Sequence, residues 1–245
     1  MIELALTEYN GEVMETEIPE IDLESLFARY SSPIEPVPSG LSPDLPRLSE
    51  IRTVLFDIYG TLVISGSGDI GTVGTGDGET LFRSMLADEL GAKLPADICV
   101  GSMVRNLIAA DHEAAHAKGI PFPEVEIRSV WRRLLERFGY NTGSGAAADP
   151  AIASLLYELS RNRVWPMPGA GEIIGALKDR FLLGIVSNAQ FYTPPMLNHF
   201  FKEQIAAFDP QLCVWSYREG RAKPDRHLFD RVIDTLRRRG DGDAE

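Results

Sequence analysis

Residues 51–61 read IRTVLFDIYGT. The run Val54-Leu55-Phe56 is apolar, Ile51 and Thr53 before it are β-branched, and Gly60 punctuates the chain shortly after it. That pattern predicts a short buried strand ending at Asp57, followed by a turn. A second run, FLLGIVS at 181–187, ends in Ser187 and Asn188, and a third, LCVWS at 212–216, is followed by Lys223-Pro224. Between and after these runs the apolar spacing is helical, at roughly 79–90, 96–118, 124–138, 149–163, 169–179, 194–202 and 225–238. Strands separated by helices imply right-handed crossovers and a parallel sheet. The fold class is therefore α/β: one strand, a helical insertion, then further parallel α/β.

Composition agrees with one large domain or two small ones. Of the 245 residues, 44% are hydrophobic and 24% charged, enough apolar material for a sizeable core. No stretch approaches the length of a membrane span. The N-terminus has no basic start and no apolar h-region, so it does not read as a secretory signal. Cys99 and Cys213 stand far apart, in neither metal nor redox spacing, which predicts two reduced thiols and a cytoplasmic protein. A net charge of −12 argues against nucleic acid or an anionic membrane as partner. Much of that charge lies in residues 1–30, where Arg29 is the only basic residue. Prolines follow at 33, 36, 38, 43 and 46. Residues 1–50 thus read as an acidic, proline-rich arm and linker, with a short helix near Leu23–Arg29.

In parallel α/β folds, ligands sit at the carboxyl ends of the strands. Asp57, Ser187-Asn188 and Lys223 all fall at or just after such ends. Each has an ordinary explanation alone: a helix N-cap for Ser187, a turn for Gly60, a solvated lysine for Lys223. Together they form a constellation. FDIYGTL, IVSNA and AKPD resemble motifs I, II and III of the haloacid dehalogenase-like (HAD) hydrolase superfamily, over about residues 51–240. The resemblance implies a Rossmannoid core at 51–78 and 165–245, with a helical C1 cap at 79–164. It implies that Asp57 is a nucleophile forming a covalent intermediate, that Ser187 hydrogen-bonds the transferring group, and that Lys223 neutralises charge on Asp57 and substrate. Thr61 and Tyr59 join the catalytic set. Asn188, Gly60, Gln190 and His112 are expected at the substrate. Physical chemistry concurs, since a carboxylate is a poor nucleophile unless it is oriented and nearby charge is offset.

The chain departs from the family pattern in three places. The phosphatases of the family carry an acid two residues after the nucleophile, where this chain has Tyr59; losing that group costs on the order of 10²–10⁴ in rate. Family dehalogenases carry tyrosine there, but place another tyrosine six residues after the lysine, where this chain has Phe229. The chain also reaches Glu245 without a motif IV, which implies a truncated piece or an inactive derivative, with the first strand left at a sheet edge. If Mg²⁺ binds, Asp57 and the backbone carbonyl of Tyr59 are its evident ligands. The expected activity is hydrolysis of a small anionic substrate. A phosphomonoester, with Mg²⁺, is the first class and a 2-haloacid, without metal, the second; a non-enzymatic binding relic is the third reading.

Two further motifs compete. GSGDIG at 66–71 matches G-x-G-x-x-G, but TVGTGDG follows it where a helix should open, so a flap after motif I is the better reading. His112-Glu113-Ala114-Ala115-His116 matches the H-E-x-x-H pattern of zinc peptidases, but Phe122 stands where a third histidine would fall. Its alternative is a cap helix with a polar histidine pair. Trp131 with Val130, Leu134, Leu135 and Phe138 forms an apolar stripe that reads as core.

Overall fold

The strand predicted at the opening forms as β1 (Thr53–Phe56) in the computed structural model, which describes residues 22–42, 44–46, 48–66, 77–142 and 148–240. It pairs in parallel with β4 (Leu182–Ser187), Thr53 against Leu182 and Phe56 against Ile185. β4 pairs in parallel with β5 (Phe208–Trp215), so the sheet runs β1-β4-β5. The β4–β5 register shifts between Leu183 and Ile185. Gly184 sits at that shift: a Cβ there would come within 2.6 Å of the Leu212 carbonyl oxygen and 2.8 Å of the Leu55 side chain. Only glycine lets the strands close at this point. Past the shift, Ser187 lies opposite Trp215, so Asp57, Ser187 and Ser216 reach the same end of the sheet.

Helices α6 (Ala170–Leu177), α7 (Thr193–Phe201) and α9 (His227–Arg239), with the single turn α8 (Ser216–Glu219), complete this part of the chain. Between β1 and β4 lies the helical insertion: α2 (Asp77–Leu90), α3 (Val100–Ala117), α4 (Ile127–Arg137) and α5 (Pro150–Leu159). Its own core is aromatic. Phe82, Trp131 and Tyr157 meet with centroids 5.2–5.3 Å apart. Val130, Leu134 and Leu135 are fully buried beside them, as the stripe on α4 predicts. Each such side chain contributes about 1.5–3 kcal/mol by leaving water. α5 is capped by Asp149, whose carboxylate accepts from the N–H groups of Ala151 and Ile152, with Pro150 at its start.

The sequence reading did not anticipate a two-stranded antiparallel ribbon. β2 (Val63–Ser65) pairs with β3 (Val164–Pro166), Ile64 opposite Trp165. The chain enters the insertion after β2 and leaves it before β3, so the ribbon fastens both ends of the insertion together.

The N-terminal arm is also more than a linker. α1 (Leu23–Tyr30), capped by Asp22, buries Leu26 and Phe27. Phe27 packs on Phe200 and His199 of α7, while Arg29 and Tyr30 both bond Glu89 of α2. The acidic stretch 1–21 and residues 67–76, most of the glycine-rich segment expected to form a flap, lie outside the described residues. Among the described residues β1 pairs with β4 alone, and Leu55 (36%) and Ile51 (42%) retain solvent exposure there. No described helix is long and apolar enough to cross a membrane.

Candidate active site

Asp57 follows β1 directly, and the chain then turns tightly. The carbonyl of Ile58 accepts from the N–H groups of Thr61, Leu62 and Val63, and Gly60 takes φ +81°. That left-handed conformation is the reason for a glycine at this position. The turn leaves the Asp57 carboxylate at the strand mouth with its side chain 40% exposed.

Three donors converge on Asp57 Oδ1. Ser187 Oγ donates at 2.8 Å, the Ile58 N–H at 2.8 Å, and Lys223 Nζ lies 2.8 Å away. Ser187 is fully buried at the end of β4, and Lys223 comes from the loop between α8 and α9. Oδ2 has no partner among the described residues. One carboxylate oxygen is therefore fixed and charge-balanced while the other stays open, as a nucleophile requires.

Asn188 and Gln190, expected at the substrate, stand close by with their amides bonded to the protein itself. Asn188 Oδ1 accepts the Lys223 N–H at 2.6 Å, and its Nδ2 faces the Lys223 carbonyl at 3.4 Å. Its amide holds the lysine loop. Gln190, 5% exposed, accepts the Ile127 N–H with Oε1 and donates through Nε2 to Glu124 and to the Val125 carbonyl. Both ends of its amide are bonded to the insertion. Thr61 is exposed, and its main chain serves the turn.

Tyr59 turns toward α7: its hydroxyl pairs with Thr193 Oγ1 at 2.9 Å. Burial, with lesser contributions from Glu158 and Asp57, pushes its phenol well above the ordinary range, so it stays protonated. Behind it, burial also raises Glu158, which accepts from Asn162 Nδ2 at 2.8 Å and hydrogen-bonds Tyr192.

Among the described residues His112 makes no hydrogen bond or ion pair with Asp57, Ser187 or Lys223; it lies within α3 with Nε2 buried and unpartnered. His116 Nδ1 bonds the Ile120 carbonyl at 2.9 Å, closing the end of that helix. Among the described residues no group of three or more His, Cys, Asp or Glu is placed to hold a metal ion. That does not support the zinc reading. It also bears on Mg²⁺, which demands near-octahedral oxygen ligation. Asp57 and the Tyr59 carbonyl supply too few oxygens, and the Lys223 ammonium already occupies the flank of Oδ1. The described residues alone do not fit a magnesium site.

Ser216, Thr193 and Glu124 escape the sequence reading because no motif spacing marks them. Glu124 falls at the start of the helix expected over 124–138, and nothing in its spacing marks it for the site.

No family model matches the chain, and no curated protein matches it. Among solved structures, it is similar to the magnesium-bound HAD-hydrolase YfnB of Bacillus subtilis, at 18% identity over 76% of this chain and 72% of that one, TM-score 0.37. It is similar to a 2-haloacid dehalogenase of Pseudomonas syringae, at 22% identity over 77% and 72%, TM-score 0.42. It is also similar to a subfamily IA HAD-superfamily hydrolase of Geobacter sulfurreducens, at 18% identity over 78% and 74%, TM-score 0.37. These structural neighbours are HAD-superfamily hydrolases.

Proposed function

We propose that this chain is a hydrolase that acts on a small anionic substrate through a covalent intermediate on Asp57. The observation that carries the reading is the division of labour on that carboxylate: Oδ1 takes Ser187, the Ile58 N–H and Lys223, while Oδ2 has no partner among the described residues. Lys223 supplies the positive charge an anionic substrate needs beside a carboxylate.

The substrate class follows from the leaving group. An alkyl phosphomonoester needs a proton donor near the nucleophile, and the Tyr59 phenol is paired with Thr193 and holds its proton firmly. A 2-haloacid needs none, because halide departs with the bonding electron pair unprotonated. This supports a 2-haloacid over a phosphomonoester. Oδ2 attacks C2, the carbon–halogen bond breaks, and an ester forms on Asp57. Water then adds to the ester carbon Cγ, releasing the 2-hydroxyacid, regenerating the carboxylate and leaving one proton to solvent.

The test is an assay of the protein on chloroacetate without metal and on p-nitrophenyl phosphate with and without Mg²⁺. Halide release is expected, and Asp57→Asn should reduce it at least about 10³-fold. In a single turnover in H₂¹⁸O, the label should appear in Asp57, because water attacks the protein's own carbon. Phosphate release with label in the phosphate would move the substrate class to phosphomonoesters. Inactivity on both substrates would favour a binding role and overturn the reading.

A further inference from the structure

The groups that meet at Asp57 belong to a strand end, from which the 188–192 loop departs, and to a separate loop that carries Lys223, and the sheet does not set the second loop against the first. Ser187 ends β4, and Lys223 lies well beyond the end of β5. Something outside the sheet must set one loop against the other. The Asn188–Lys223 main-chain clamp is one tie. The second comes from the insertion.

Residues 122–127 run along both loops. On one side they pair antiparallel with the segment just before the lysine: the Ala222 N–H donates to the Phe122 carbonyl at 2.8 Å, the Glu124 N–H to the Gly220 carbonyl at 3.2 Å, and Pro123 bridges Arg221. On the other side Gln190, three residues past Ser187, donates to the Val125 carbonyl at 2.9 Å and accepts from the Ile127 N–H at 3.2 Å. The Glu124 carboxylate joins the two. Its Oε2 accepts from Ser216 Oγ at 2.8 Å; its Oε1 accepts from Gln190 Nε2 at 3.2 Å and the Val125 N–H at 3.0 Å. Ser216 in turn accepts the Ala189 N–H at 2.9 Å, so the relay reaches the residue two past Ser187.

We propose that Glu124 is a positioning residue that holds the Ser187 and Lys223 loops in mutual register around Asp57, acting through Ser216, Gln190 and the 220–222 main chain. This rests on the reading of Asp57 as the reacting group. The ligand set suits the task. All of its partners donate, none carries a charge, and Ser216 and Gln190 are themselves buried. The two oxygens of a carboxylate accept such donors from different loops at once, with about twice the acceptor sites of a neutral amide of the same size. Burial raises the Glu124 carboxyl, against the pull of Ser216 and the Val125 N–H. A charge kept in such a place without a cation needs those donors held firmly.

The experiment uses the full chain with Glu124→Ala and Glu124→Gln, read by amide hydrogen exchange and by steady-state kinetics. Exchange at the Ala189 and Ala222 amides should quicken about tenfold or more in the alanine variant, while β4 amides such as Ile185 keep their protection. On the substrate that the wild type turns over, kcat should fall about 10–100-fold with KM nearly unchanged. Glutamine, which retains one acceptor oxygen, should recover part of both losses, and it carries the test if the alanine variant fails to fold. Unchanged exchange at Ala189 and Ala222 overturns the proposal. So does quickened exchange with kcat intact, which would make the contact structural only. Wild-type inactivity on both substrates would instead sink the functional reading, with exchange still deciding whether Glu124 braces the loops.

Discussion

Tyr59 lies two residues after Asp57, and its environment decides what it can do there. Its hydroxyl shares a hydrogen bond with Thr193, which also receives the Gln190 N–H at 3.3 Å. Replacing Tyr59 by Phe deletes one neutral hydrogen bond and keeps the ring. The expected cost is about 0.5–1.5 kcal/mol of stability, with kcat within a few-fold of wild type. If Tyr59 were instead the proton donor to a leaving group, the same variant would lose about 10²–10⁴ in rate. Kinetics of Tyr59→Phe on an alkyl phosphomonoester, whose alkoxide leaving group needs a proton, beside chloroacetate, whose halide needs none, separate the two. Asp57 and Ser187 were legible in the sequence because strand ends are marked by hydrophobic pattern, and chemistry in this fold class gathers there, whereas Lys223, well past the end of β5, was marked by the resemblance of AKPD to motif III. Asn188 and Gln190 were legible as neighbours of the site but not in their roles. An amide bonds whatever the tertiary structure presents, and here that is the Lys223 main chain and the 124–127 segment. Nothing local announces either partner.

Among the elements, β1, β4 and β5 were readable because β-branched apolar runs bounded by turns have few alternatives. The β2–β3 ribbon was not, since Val164–Pro166 is three residues long, includes a proline, and pairs with a segment almost a hundred residues earlier. α1 falls between these cases. Asp22 and the apolar positions at Leu23, Leu26 and Phe27 signal a short helix, but not its destination. That destination is the seam between the insertion and the sheet layer, with Phe27 on α7 and Arg29 and Tyr30 on Glu89 of α2. Eight residues are marginal as a free helix, so packing must hold α1 in place. Phe27, 2% exposed, is the anchor. Phe27→Ala should cost about 3–5 kcal/mol in urea unfolding. A loss under about 1 kcal/mol would show instead that α1 only rests on the surface.

Over the whole molecule, stability against pH is a contest between two kinds of carboxyl. Glu89, Asp209 and Asp225 are held low, chiefly by hydrogen bonds from Tyr30, Arg239 and the His227 N–H respectively. Their contribution is present above the unfolded value and is lost as pH falls. All three bond partners near the surface, so solvent screening keeps each contribution small. Glu158 and Glu124 run the other way, because burial raises both. A carboxyl raised in the fold binds its proton more tightly there than in the unfolded chain. Its stabilising contribution is therefore complete below the unfolded value and is lost as pH rises through the folded one. Glu158 is the cleaner of the two to test, since its hydrogen-bond partners are Asn162 and Tyr192 and not the groups that meet at Asp57. Glu158→Gln keeps an oxygen for Asn162 and removes the titration. The difference in unfolding free energy between the variant and wild type should shift in favour of the variant as pH rises from the ordinary carboxyl value of 4.5 toward neutrality. Urea midpoints at a series of pH values measure that slope. A difference that stays flat with pH would mean that Glu158 titrates in the fold as it does in the unfolded chain, and that the Asn162 and Tyr192 hydrogen bonds offset its burial in full.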